Sequence, residues 1–284
     1  MRICLITAAP DHPLLAAATA LLAPRHHVEF IDPDRAPGAV PGSGVPPAGH
    51  DGSGPLADVY LLKSHTPRGL ALAARLEERG APVLNSAAAT TLCQDRTAMA
   101  ALASRAGLPF AATRTMATLT ELAERAGEGE PAFPLVVKSR HSRRHDLVAR
   151  VDSAGRLRKL ATEWPQEPVV VQEFTENSGW DHKLWAIDGR IFAALRRSEL
   201  APEGRGPTRP LDLRDLPTGW ADLVLGAGET FGLSVYGVDV LDAGDGAPLI
   251  VDINAFPGIR GQAGAPEALA ELALRTASGA AIRR

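Results

Sequence analysis

At 284 residues the chain is long enough to bury a sizeable core and to hold more than one lobe. A net charge of −3 leaves no electrostatic footprint for an obligate nucleic-acid partner, and the two cysteines match neither a metal-ligand spacing nor a disulfide framework. No apolar run approaches the roughly 20 residues of a membrane span, and Met1–Thr7 is too short for a signal-peptide core, so a reducing cytoplasm is expected.

Strand and helix patterns alternate along the chain, which predicts an α/β fold. Residues 2–7 read as a strand, 12–22 as a helix and 27–31 as a second strand. Residues 37–55 are rich in Gly and Pro and read as a surface loop. Residues 59–63 form a third predicted strand, 68–80 a helix and 81–85 a fourth strand. The first domain, 1–88, is thus expected to be a small open α/β sheet. Thr7-Ala8-Ala9-Pro10 follows its first strand where a dinucleotide site would need a Gly-rich turn, which argues against a nicotinamide cofactor.

Residues 86–107 read as one helix, with Leu92, Met99 and Leu102 spaced along one face. Phe133–Lys138 and Val169–Phe174 read as buried strands ending in polar residues. Asp181–Arg197 reads as a hairpin around Asp188-Gly189, a turn pair that tolerates positive φ. A Pro/Gly/Arg-rich loop spans 199–218, a helix spans 221–232, and a final helix starts near Pro266. Between the last two helices, two strand-like runs flank Asp245-Gly246, a second hairpin signal. That hairpin sets Asp239 opposite a face carrying Asp252 and Asn254, which are two residues apart and so share a side. Two carboxylates and an amide oxygen, without thiolate or imidazole, suit Mg²⁺, with Mn²⁺ as a substitute.

The order of short motifs carries a resemblance. Cys93-Gln94-Asp95-Arg96-Thr97, Val136-Val137-Lys138, Gln172-Glu173-Phe174, Asp181-His182-Lys183, Arg196-Arg197, Gly237-Val238-Asp239 and Asp252-Ile253-Asn254-Ala255-Phe256-Pro257-Gly258 follow one another as in the ATP-grasp superfamily. The series is most similar to the branch of the ribosomal-protein glutamate ligases, with the inositol trisphosphate kinases as relatives. The likeness runs from about residue 86 to 270. It implies two α+β lobes with ATP between them: a central lobe at 89–175 and a C-terminal lobe with the metal site at 176–284.

Residue by residue, the resemblance implies that Lys138 and Arg96 meet nucleotide phosphate, with Lys183 as a further contact. Gln172, Glu173 and Phe174 would lie at the adenine, Asp181 at the ribose, and Arg205 at the nucleotide again. Asp239, Asp252 and Asn254 would hold the metal. One of Arg196 and Arg197 would stabilise the transferring phosphoryl group or the tetrahedral intermediate; adjacent residues on a strand face opposite ways, and the offset from Asp181 slightly favours Arg197. Arg260, or the N–H groups of the last helix, would hold a substrate carboxylate.

Two departures from the family pattern stand out. Arg96 replaces the usual lysine, keeping charge but not compact geometry. The segment Ser139–Asp146 is basic and glycine-free where relatives carry a Gly-rich loop over the phosphates; it either neutralises anions or is a solvated turn.

The implied activity is ATP-dependent carboxylate–amine ligation through an acylphosphate, on a small acid or amino acid with an amine acceptor that could be a peptide or protein terminus. The alternatives are a kinase acting on a hydroxyl and a weakly active ATP-binding scaffold. A homodimer is the expected assembly on general grounds.

Overall fold

The computed structural model describes residues 1–35, 54–127, 131–201, 204 and 206–279. Most of the predicted loop 37–55, and Arg205, lie outside the described residues.

Three sheets organise the chain. The first is all parallel, in the order β2-β1-β3-β4, built from β1 (Arg2–Ile6), β2 (His27–Ile31), β3 (Val59–Leu62) and β4 (Val83–Leu84). Its central strands are unbroken apolar runs because both faces are covered. Ile3 and Leu5 point to α1 (Pro13–Leu22) and the C-terminal helix, whereas Cys4 and Ile6 point to α2 (Pro67–Glu78). Proline opens both helices, where its missing N–H leaves no bond unmade, and Thr66 caps α2 by accepting from the Gly69 N–H.

The predicted helix 86–107 is two helices, α3 (Ala87–Gln94) and α4 (Arg96–Arg105). Asp95 between them is extended, at φ −103° and ψ 102°, and its carboxylate accepts from the N–H groups of Thr97 and Ala98. Aspartate competes for backbone N–H in this way, so it caps a new helix more readily than it continues an old one. The break puts Arg96 at the first turn of α4.

The second sheet is antiparallel, in the order β5-β8-β6-β7, from β5 (Thr113–Met116), β6 (Leu135–Ser139), β7 (Val148–Val151) and β8 (Val169–Glu173). Helices α5 (Leu119–Gly127) and α6 (Ala154–Glu163) cover one face, against Leu135, Val137, Val151 and Val171. Alternation then turns Val136, Lys138, Arg150 and Gln172 to the other face.

The third sheet runs β11-β10-β9-β12-β13, from β9 (Trp180–Ile187), β10 (Arg190–Arg197), β11 (Thr208–Pro210), β12 (Val235–Asp242) and β13 (Pro248–Ala255). β11 and a short 3-10 turn at Leu213–Asp215 fall within the stretch expected to be loop. Both Asp-Gly pairs make hairpin turns with positive φ at each residue: 50° and 78° at Asp188-Gly189, 51° and 77° at Asp245-Gly246. One face packs on α3, α4 and α7 (Trp220–Phe231) through Leu184, Ala186, Val238 and Ile253. The opposite face meets the second sheet at one end. At its other end it meets the first lobe and α8 (Ala265–Ala277).

Candidate functional site

The register of the third sheet builds the site. Lys183 on β9 pairs with Asp239 on β12, and Asp239 pairs with Asp252 on β13, so three charged residues stand in one row. Cross-strand partners point the same way. Asp181, two residues before Lys183, and Asn254, two residues after Asp252, therefore share that face. Asn254 pairs with Gly237; a Cβ there would come within 2.9 Å of the Trp185 ring and 3.1 Å of the Pro257 ring, which explains the glycine.

The same register separates the two arginines. Arg196 pairs with Asp181 and so takes the face of the charged row, whereas Arg197 pairs with Trp180 on the opposite face. The guanidinium of Arg209 stacks on Trp180 at 4.3 Å, which fixes that opposite face independently. The slight sequence preference for Arg197 is thus reversed: antiparallel pairing, not offset from Asp181 along the chain, decides which side chain faces in.

A β-bulge follows the row. Asp239 pairs with Asp252 but Val240 with Ile250, leaving Val251 as the extra residue. Its carbonyl is released from the ladder and accepts a 2.8 Å hydrogen bond from Nζ of Lys138, reaching across from β6. Lys138 is thereby held between the two sheets. Burial pushes its ammonium below the usual lysine range, against the pull of Asp252.

Arg96 reaches the row from the start of α4. It donates to the Ser139 carbonyl at 2.8 Å and to Asp146 at 2.6 Å, and its other terminal nitrogen lies 3.7 Å from Asp252. Burial disfavours its charge, but Asp252 and Asp146 outweigh that and hold the guanidinium above its ordinary value. Nζ of Lys183 sits 2.6 Å from Asp239 and 3.3 Å from Asp181. Each carboxylate of the row thus has a cation beside it.

These groups line a cleft of about 300 Å³ between the second and third sheets, with Lys138, Asp181, Lys183, Asp239 and Asp252 at its polar end. Phe174 and Arg150 line it too, the Arg150 guanidinium lying 3.9 Å over the Phe174 ring. Gln172 and Glu173 line the same wall, with Gln172 donating to the Thr113 hydroxyl at 3.0 Å. The Phe174 N–H already donates to the Pro134 carbonyl, so it is not free to read a base edge. Arg196, Arg197, Asn254 and Arg260 are not among the residues lining this cleft.

The basic segment 139–146 does not line it either. Arg140 forks onto Asp95 at 2.7 Å, Arg143 bonds Glu167 at 2.7 Å, and Asp146 holds Arg96. Its charges are largely neutralised by protein carboxylates, and the segment braces the Asp95 cap. Arg150 went unread in the sequence because β7 is only four residues long and alternates too briefly to register as a strand.

The donor set fits a divalent cation. Asp239 and Asp252 are a direct cross-strand pair with an amide oxygen one step along, all hard ligands, and too few to complete a shell without phosphate and water. Among the described residues no cluster of three or more His, Cys, Asp or Glu offers a rival metal centre, and no helix is long and apolar enough to cross a membrane.

Comparison with known proteins gives a consistent picture. A family model described as a RimK-like ATP-grasp domain matches residues 93–265. A probable alpha-L-glutamate ligase of Legionella pneumophila is 27% identical over 211 residues, covering 70% of this chain and 67% of the relative. The solved RimK domain ATP-grasp protein of Sphaerobacter thermophilus superposes with a TM-score of 0.71 at 22% identity, covering 96% of this chain and all of that one. The D-alanine–D-alanine ligase of Bacillus anthracis superposes with a TM-score of 0.69 at 16% identity, over 98% and 99% of the two chains. At such identities the structural likenesses show the fold.

Proposed function

From the premise that the chain belongs to the RimK-like ATP-grasp family, we propose that it is an ATP-dependent carboxylate–amine ligase, making an amide through an acylphosphate and releasing ADP and phosphate. The observation that carries this reading is the cross-strand row Lys183–Asp239–Asp252 facing Lys138 over the cleft. It sets two carboxylates for a metal beside two ammonium groups for phosphate.

In this reading ATP lies in the cleft with its base toward Phe174 and Arg150. The neighbouring backbone of 173 and 175–176, not the Phe174 N–H, reads the base edge. Lys138, Lys183 and Arg96 meet the phosphates as fixed positive charge, which favours the negative charge that spreads over the transferring group. Asp239, Asp252 and Asn254 would hold Mg²⁺, which when bound would offset charge on the phosphate oxygens. Asp181 orients Lys183 and flanks Arg196. Arg196, on the same face, stabilises charge on the group in transfer, and Arg197 has no part in the reaction. Position and electrostatics do the work, so no nucleophilic serine or cysteine is needed; Cys4 and Cys93 are both buried thiols, and burial pushes Cys93 up to about 12.

The relatives' names point to an amino acid or a peptide as substrate, and we infer the same class here. The test is ATP turnover with Mg²⁺ against a panel of amino acids, small carboxylic acids and peptides, following free phosphate and product mass together. Phosphate release with a product lighter than its two substrates by one water is the expected result. Phosphate retained on a hydroxyl acceptor would establish a kinase and sink the ligase reading.

A further inference from the structure

One guanidinium in the cleft stands apart from the charged row. Arg150 lies on β7, the edge strand of the second sheet. It pairs with Val136 on β6, which pairs in turn with Gln172 on β8. Two residues away on the same face, Val148 pairs with Lys138. Strand residues two apart are separated by about 7 Å. Arg150 is therefore one step along from the lysine, toward the end of the cleft where the Phe174 N–H meets the Pro134 carbonyl.

The walls at that end are apolar. Val136 and Val148 come from the second sheet, and Leu241 and Leu249, a cross-strand pair, from the third. Nε of Arg150 donates to Asp152 at 2.7 Å, and a terminal nitrogen lies 3.8 Å from Glu176. These carboxylate side chains are 63% and 80% exposed, so neither pair contributes much energy. The Asp152 bond, from just past the same strand, aims the guanidinium instead.

It is aimed at Phe174, 3.9 Å from the ring centroid. That is contact distance. A base inserted between the two groups would need about 7 Å, two contact distances, so no base enters there while Arg150 stays in place. The outer side of the guanidinium faces the apolar slot. A guanidinium is planar, delocalised and weakly hydrated, and it stacks on aromatic faces. Lys138, Lys183 and Arg96, as phosphate contacts, are blind to the base, so discrimination between nucleotides falls to this end of the cleft.

We propose that Arg150 is the base-stacking, purine-selecting residue of the cleft: Phe174 supports one face of its guanidinium, and the purine of the nucleotide stacks on the other. The proposal rests on the reading above that the cleft takes ATP. A purine overlaps the guanidinium more fully than a pyrimidine does, so the three-layer stack favours adenine nucleotides over uracil nucleotides.

Calorimetric titration of the full chain with ADP and with UDP, in the presence of Mg²⁺, tests it. Wild type is expected to prefer ADP by about tenfold or more. Arg150→Met is expected to weaken ADP binding by about fivefold or more and UDP binding by no more than about twofold, so that the preference collapses. Arg150→Lys keeps the charge without the planar face and is expected to recover only part of the loss; it serves as the test variant if Arg150→Met does not fold. Full recovery by lysine would make Arg150 a point charge for phosphate. Equal losses for the two nucleotides would mean a structural role. Tighter ADP binding by Arg150→Met would mean that the side chain occupies the place of the base, and unchanged binding that it touches no nucleotide. Each of these four results would overturn the stack, while ADP binding by the wild type would leave the nucleotide reading standing. A wild type that binds neither nucleotide would overturn both.

Discussion

Nζ of Lys183 stands 2.6 Å from Oδ2 of Asp239, directly across the β9–β12 pairing. The contact neutralises a buried-edge carboxylate in the protein alone, and it sets an ammonium where a divalent cation would draw its charge. On the proposed reading, lysine and metal would therefore compete for Asp239 until phosphate offered the lysine another partner.

Lys183→Met should tighten Mn²⁺ binding to the nucleotide-free protein by roughly fivefold or more, because a like charge leaves the site. The same variant should lower ATP turnover. Electron paramagnetic titration of Mn²⁺ reads the first effect; an unchanged metal affinity would mean that the ion does not bind at Asp239.

On the proposed metal reading, Asp239→Asn and Asp252→Asn should each reduce turnover by about 100-fold or more, since each would remove a charged ligand from a set of only two carboxylates. Arg197→Gln should leave turnover within about twofold, because Arg197 lies on the far face from the row, whereas Arg196→Gln should lower kcat. Steady-state kinetics on the four variants distinguishes the faces. Equal losses at Arg196 and Arg197 would contradict the assignment.

Arg96→Met leaves Asp146 and Asp252 without their guanidinium in a site that is nearly closed to solvent. Breaking a buried pair from one side costs about 3–5 kcal/mol, and urea unfolding should show a loss of that size. Arg96→Lys should recover only part of it, because one ammonium cannot reach the Ser139 carbonyl and two carboxylates as the planar fork does.

Stability should rise with pH between about 8 and the ordinary lysine value. Lys63 is brought down to about 8 by burial and by Arg260, with Phe256 against its ammonium. In that window the unfolded chain holds the proton that the folded chain has released. Thermal melting from neutral to alkaline pH checks the sign; Lys63→Met should flatten the rise.

The sequence by itself determined most of what is local. Apolar runs without polar interruption marked β1 and β3, Asp-Gly pairs marked the two hairpin turns, and the spacing of Asp252 and Asn254 set them on one face, since turn chemistry and strand alternation act over a few residues. The motif order from Cys93 to Gly258 then identified the family. Short elements without a clear period, β5 and β7 with the helices between and after them, left too weak a pattern to read, and with β7 went Arg150. What only the tertiary structure decided is everything that depends on pairing between distant segments. Register chose Arg196 over Arg197. A bulge freed the Val251 carbonyl for Lys138, 113 residues away in sequence. The Asp95 cap split a helix and aimed Arg96 at Asp252. Lys63, His12 and His65 carried no motif at all; the crossing of the first sheet brought them to one cavity, because charge and burial act through space and leave no trace in sequence spacing.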